Sequence, residues 1–358
     1  MSGRLNQMSD TCVVKASRRR RALFAAVAVI GSVVLVDVSV RVLRLGPPSY
    51  AARRIEPGLP FQGVRNGGVE SFNYQPNVLF WSIYDPKGDD REYFPSDGKV
   101  EYRINSNGIR GKDTTAAKPP DVWRVVCLGD SFTFGEGVQE VDTYPVCMEA
   151  LLAGSVPGKR VQVINAGVQA QGTVDELNWF RIGPWQFQPD VVTLGFVLND
   201  ATPRLETMRH HTEWTEGFRL SWLGRVSKLS EWVERVRWSR GQAREFLATT
   251  RASFASADWE ACKRALSDFA DESRRRPFRF VVVIFPVLTQ LDASYPFADL
   301  HGLVRSACVE RKIECIDLLD DYRGLAPESL WVHPTDQHPN ERANAIAARR
   351  IAERLRGK

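Results

Sequence analysis

Four stretches of this chain carry residue types whose spacing suits one kind of chemistry, attack by an activated serine on an acyl group. The first is Val125 to Gly137, VVCLGDSFTFGEG, where an apolar, β-branched run ends at Gly129 and is followed at once by Asp130 and Ser131. A run of that composition reads as a parallel strand buried on both faces, and ligands collect at the carboxyl edge of such sheets. Gly-Asp-Ser is also a common turn and helix-cap sequence, so the serine alone decides nothing. A phosphate-binding loop is set aside because no Lys-Ser/Thr pair follows Gly135.

A serine hydroxyl is a poor nucleophile at neutral pH and needs a base within hydrogen-bond reach, with a third group to orient that base. The chain has five histidines: His210, His211, His301, His333 and His338. The last two lie in Trp331 to Asn340, WVHPTDQHPN, which also contains Asp336. Residues two apart in an extended segment point the same way, so Asp336 is expected beside His338, holding its imidazole in one tautomer. His333 is the competing base but has no carboxylate at matching offset. Asn340 is expected to start a helix that fixes the loop. The third requirement is donors for a developing oxyanion. Two loops qualify: Asn165 to Thr173, through a backbone N–H, and Phe196 to Asp200, through the Asn199 side-chain amide.

The elements needed to position these residues are legible as alternation. Strands are expected at Arg124 to Leu128, Arg160 to Ile164, Asp190 to Phe196, Phe278 to Phe285 and Ile313 to Leu318. Helices are expected at Thr143 to Leu152, Val174 to Ile182, Asp258 to Arg275, Phe297 to Arg311 and Asn340 to Leu355. Such alternation implies an α/β fold with a parallel sheet covered by helices. Residues 1–21 read as a basic cytoplasmic tail, 22–45 as an uncleaved transmembrane anchor, 46–120 as a linker and small β-containing lead-in, and 121–358 as the main domain. In the lead-in, Val78 to Tyr84 and Lys99 to Ile104 look like strands, and Asn107-Gly108 like a turn between two short strands. A helical insertion occupies 201–260. There Trp222, Val226, Leu229, Val233 and Val236 recur at helical spacing, read first as an amphipathic helix closing the core and second as a lid or membrane-surface helix.

The net charge of +5 sits entirely in the first 21 residues, which hold six basic groups against Asp10; the other 337 residues are neutral overall. That argues against a nucleic-acid partner. The four arginines at 18–21 favour a cytoplasmic N-terminus with the rest of the chain across the membrane, in the periplasm or outside the cell. A cleaved signal peptide is the alternative, with Ser49-Tyr50-Ala51 a late candidate site. The six cysteines fall at no metal-ligand spacing and read as buried thiols, with a Cys308–Cys315 bridge the alternative outside the cytoplasm.

With these residues in view, the chain resembles the SGNH hydrolase (GDSL-like) superfamily in its membrane-anchored bacterial form. Gly129-Asp130-Ser131 matches its first block, Asn199-Asp200 its third, and Asp336 with His338-Pro339-Asn340 its fifth. The lead-in stretch Asn105 to Gly111, NSNGIRG, is similar to the same subgroup. The resemblance implies a flavodoxin-like three-layer sandwich with strand order 2-1-3-4-5. It implies Ser131 as nucleophile, His338 as base, Asp336 as orienter, and Ser131, Ala170 and Asn199 as oxyanion donors, with no metal or organic cofactor. The substrate class is an O-acyl or O-acetyl ester, with an acylated carbohydrate as one candidate. Acetyl transfer to an extracytoplasmic polysaccharide, and a catalytically idle domain binding a glycan or partner, stand as alternatives. Two positions depart from the pattern. Ala170 stands where a glycine is usual, and Asp336 precedes His338 by two residues instead of three, with Thr335 in the other place.

Overall fold

The computed structural model describes residues 18–43, 50–51, 53–88, 96–202 and 219–356. The chain begins with α1 (Arg18–Val42), and a set of short strands follows: β1 (Arg54–Glu56), β2 (Phe61–Asn66), β3 (Val69–Tyr74), β4 (Leu79–Ile83) and β5 (Lys99–Arg103). Next come β6 (Val122–Gly129), the one-turn helix α2 (Ser131–Phe134), α3 (Tyr144–Leu152), β7 (Arg160–Asn165), α4 (Thr173–Ile182) and β8 (Val191–Phe196). The helices α5 (Trp222–Val226), α6 (Lys228–Phe254) and α7 (Ala257–Arg275) lead into β9 (Arg279–Ile284) and α8 (Ala298–Glu310). The chain closes with β10 (Glu314–Asp317), α9 (Leu319–Tyr322), β11 (Trp331–His333), β12 (Asp336–Pro339) and α10 (Glu341–Arg356).

Two compact units result, one formed by α1 with residues 219–240 and the other by the rest of the described chain. In the larger unit β7, β6, β8, β9 and β10 lie side by side in that order, every pair parallel. Numbered along the chain this is 2-1-3-4-5, so the sheet order and all five strands match the sequence reading. The cause is plain in the burial: Val125 to Leu128 on β6 are fully buried, and every residue of the central strand β8 is buried. Amphipathic helices such as α7 and α10 put their apolar stripes on the sheet, with Leu266, Phe269, Ala347 and Ile351 inside.

The lead-in is more structured than expected. Strands β4 and β5 pair antiparallel, joined by β1 on the other edge of β4. A separate hairpin, β2–β3, turns at Gly67-Gly68, both with positive φ (56° and 82°), the backbone a tight two-residue hairpin turn demands. Asn107-Gly108 does form a turn, but it closes on a single bridge, Ile104 with Arg110, instead of joining two strands. The Asn105 side chain accounts for that by accepting the Asn107 and Ile109 N–H groups itself.

In the smaller unit α1 has 25 residues, about 37 Å at 1.5 Å per residue, and is long and apolar enough to cross a bilayer. Its interrupting Asp37 is satisfied: it accepts from Ser227 Oγ (2.8 Å) and Leu229 N (2.9 Å) and pairs with Arg41 (2.9 Å). Within the insertion the apolar stripe is split at Ser227 between α5 and α6, and Trp222, Val226 and Val233 are exposed. The burial moves to the far end of α6, at Thr250, Ser253 and Phe254. Cys308 and Cys315 are both free thiols, so the bridge is not formed; Cys127, Cys262 and Cys308 are buried. Cys12, residues 1–17 and residues 44–49 lie outside the described residues.

Candidate active site

Strand β6 delivers Ser131 through a bend that only glycine can make. Gly129 has φ +148°, and a Cβ there would stand 2.0 Å from Thr133 Oγ1 and 3.0 Å from Gly195 O. Asp130 then caps α2, its carboxylate accepting the Phe132 N–H at 2.9 Å, so that Ser131 begins the helix. The cap reading of Gly-Asp-Ser is therefore correct for Asp130, and it is what presents the serine.

The histidine arrives from the other end of the chain. β11 and β12 form a short antiparallel ribbon, irregular between Trp331 and His333, that sets His338 in extended backbone. Asn340 secures its base, donating to Ser329 O and Trp331 O and capping α10 by accepting the Ala343 N–H. His338 Nε2 lies 2.8 Å from Ser131 Oγ, across 207 positions of sequence. Asp336 Oδ1 lies 2.5 Å from His338 Nδ1 and accepts the His338 backbone N–H at 3.1 Å. The two-residue spacing thus reaches the ring, because both side chains project from one face of an extended strand. Thr335, in the alternative place, bonds His333 Nδ1 at 2.7 Å, and His333 Nε2 meets Asp85 O at 3.0 Å. His333 is buried and fully engaged, away from the serine. His301 belongs to another cluster, and His210 and His211 lie outside the described residues.

The electrostatics suit proton transfer. Burial alone would raise the Asp336 carboxyl, but His338 and Arg53 beside it hold it well below the usual carboxylate range. Burial works against the His338 imidazolium, and the Asp336 charge and hydrogen bond outweigh it, raising His338 above its ordinary 6.5. A hydroxyl, an imidazole and an ionised carboxylate in this order can relay one proton off the hydroxyl.

The two loops expected to offer donors also reach this edge, in different ways. Asn199 Nδ2 donates to Asp130 Oδ2 at 3.3 Å, and Asp130 Oδ2 is 3.5 Å from Ser131 Oγ, so the amide is held next to the serine with a second N–H to spare. Burial pushes the Asp130 carboxyl up, against the pull of Phe132 N–H and His338. Asp200 turns inward, accepting Val197 N. Ala170 has φ +62°, the left-handed conformation that costs a non-glycine residue about 1–2 kcal/mol. The usual glycine is missing, but its backbone shape is kept.

The lead-in supplies residues that the sequence reading did not find. Arg53 Nη1 lies 3.0 Å from Asp336 Oδ2 and 2.5 Å from Glu136 Oε1, and Tyr84 OH donates to Asp336 Oδ2 at 2.9 Å. Glu136 also accepts from Ser82 Oγ (3.0 Å) and Tyr102 OH (3.4 Å). Arg110, inside NSNGIRG, is buried and donates at 2.7 Å to Phe134 O, Gly135 O and Val138 O, the loop just beyond the serine. Its guanidinium stands 4.7 Å from the Tyr102 ring centroid and 4.9 Å from that of Phe134. The available signal was a charged residue inside an otherwise apolar or Gly-rich stretch, which has to find a partner.

A parallel α/β sheet in 2-1-3-4-5 order with these groups at its edge is the build of an SGNH-type hydrolase. The sequence model of the GDSL-like Lipase/Acylhydrolase family matches residues 127–346, and the chain belongs to that family. It is an ester-hydrolysing enzyme. No curated protein matches the chain. Among solved structures it is similar in fold to the acetyl xylan esterase AlAXEase (14% identity, 65% of this chain and 99% of that one, TM-score 0.42). It is also similar to the psychrotrophic esterase EstA from Pseudoalteromonas sp. (12%, 65% and 96%, TM-score 0.39). A third is a two-domain esterase, CEX, active on acetylated mannans (15%, 65% and 49%, TM-score 0.38).

Proposed function

We propose that this chain is a membrane-anchored, extracytoplasmic serine esterase that cleaves O-acyl esters, acetyl esters of a carbohydrate among them. Ser131 is the nucleophile, His338 the general base and Asp336 the group that orients and charges it. The observation that carries this reading is the unbroken chain Ser131 Oγ, His338 Nε2, His338 Nδ1, Asp336 Oδ1, at 2.8 Å and 2.5 Å. As Ser131 Oγ bonds to the ester carbonyl carbon, its proton passes to His338 Nε2. The carbonyl oxygen takes the negative charge, met by the backbone N–H groups of Ser131 and Ala170 and the free amide N–H of Asn199. Collapse expels the alcohol, which takes the proton from His338; water then enters by the same route and releases the acid.

The anchoring half of the reading is supported by α1, by the four arginines that precede its apolar run, and by the polar contacts of Asp37 near its far end. The purified full-length protein is expected to hydrolyse a simple aryl acetate, and Ser131→Ala to be inactive while folding normally. Activity retained by that variant overturns the nucleophile assignment. A C-terminal reporter active only outside the cytoplasm tests the orientation, and a silent reporter refutes it.

A further inference from the structure

The lead-in meets the main domain through charge, at a point that touches the proposed machinery. Asp336 uses both carboxylate oxygens. Oδ1 faces the His338 ring and backbone N–H, while Oδ2 faces Arg53 and Tyr84, both from the lead-in. Arg53 Nη1 stands between Asp336 and a second carboxylate, Glu136; the three side chains are 7%, 7% and 2% exposed. Two carboxylates buried this close disfavour each other's ionisation, and a shared proton would deprive His338 of its charge partner. The Arg53 guanidinium between them helps to hold the Asp336 carboxyl low, and hydrogen bonds on both oxygens fix its carboxylate plane. That second function bears on this chain's spacing. With Asp336 only two residues before His338 on one strand, the local chain supplies contacts to Oδ1 alone, and the rest must come from elsewhere.

We infer that Arg53 and Tyr84 of the lead-in are positioning residues for ester hydrolysis, clamping Asp336 Oδ2 so that Oδ1 stays aligned with His338. The inference rests on the proposed roles of Ser131, His338 and Asp336. It makes the segment following α1 part of the working site, so that the main domain without it is incomplete.

The charged and titratable groups around this point are Asp336, His338, Glu136, Arg53, Tyr84, Tyr102, Asp130 and Arg110. Removing the Arg53 cation takes away a charge that holds the Asp336 carboxyl low, and an Asp336 that gains a proton no longer supports the His338 imidazolium. Arg53→Gln in the full-length protein is therefore expected to lower kcat about 10- to 100-fold with KM little changed, and to move the acid limb of kcat/KM to lower pH. Tyr84→Phe, which deletes one hydroxyl, should do the same to a smaller extent, and Arg53→Lys should recover part of the Arg53→Gln loss. Folding is checked for each by circular dichroism and thermal melting. Where Arg53→Gln does not fold, Tyr84→Phe decides. A folded variant with wild-type kcat and an unmoved acid limb overturns the clamp while leaving the nucleophile reading intact. A wild type whose hydrolysis survives Ser131→Ala overturns both.

Discussion

Two histidine–aspartate pairs in this molecule share one wiring plan. His338 has Asp336 at Nδ1 and the Ser131 hydroxyl at Nε2; His301 has Asp317 at Nδ1 (2.9 Å) and the Tyr295 hydroxyl at Nε2 (3.2 Å). Each aspartate even carries an arginine, Arg53 in one and Arg305 in the other. What differs is access. The His338 side chain is 19% exposed beside a half-buried serine, whereas His301 is 0% exposed. Tyr295 is buried, accepts the Val287 N–H, and its phenol is pushed far up by burial. The His301 cluster ties α8 to the end of β10, and its imidazole has no exposed surface to offer a substrate. A hydroxyl–imidazole–carboxylate chain is by itself only potential chemistry; the His338 chain differs in lying at an open sheet edge with candidate donors alongside.

The largest expected effect separates the pairs directly. His338→Gln should lower kcat/KM for an aryl acetate by roughly 10⁴-fold with an unchanged melting temperature. His301→Gln should leave kcat/KM near wild type but cost about 1–3 kcal/mol of unfolding free energy, as a broken buried network does. The reverse pattern would break the comparison. Next in size is the donor proposed beside the open pair. Asn199→Ala should reduce kcat about 10²- to 10³-fold, with little change in KM, read by steady-state kinetics. Smallest is a shift along the pH axis. His338 accepts a proton only when neutral, and its imidazole lies above 6.5 because Asp336 outweighs burial. Activity should therefore be full at alkaline pH and fall as pH drops through a midpoint above 6.5. A midpoint below 6.5 would mean that the ionised Asp336 is not facing the ring.

The sheet was legible because buried parallel strands announce themselves: Val125 to Leu128 reads as a continuous apolar run, and Val191 to Phe196 as one broken only by Thr193 and Gly195. The presentation of Ser131 and the meeting of Asp336 with His338 were legible because two short motifs each carry their own local geometry, a cap and an extended pair. The Arg53–Asp336 contact was not, since it joins positions 283 apart and no pattern in either segment specifies the other. The Trp222 to Val236 stripe reads as one helix, but Ser227 divides it into α5 and α6: helical periodicity reports an apolar face, not an unbroken backbone.

If Ser131 is the one hydroxyl whose neighbours turn it into a nucleophile, a fluorophosphonate probe, followed by mass analysis of the digested full-length protein, should leave one adduct, on Ser131, absent from Ser131→Ala and strongly slowed in His338→Gln. An unmodified, folded wild type, or an adduct on Tyr295 or any other hydroxyl, would contradict it.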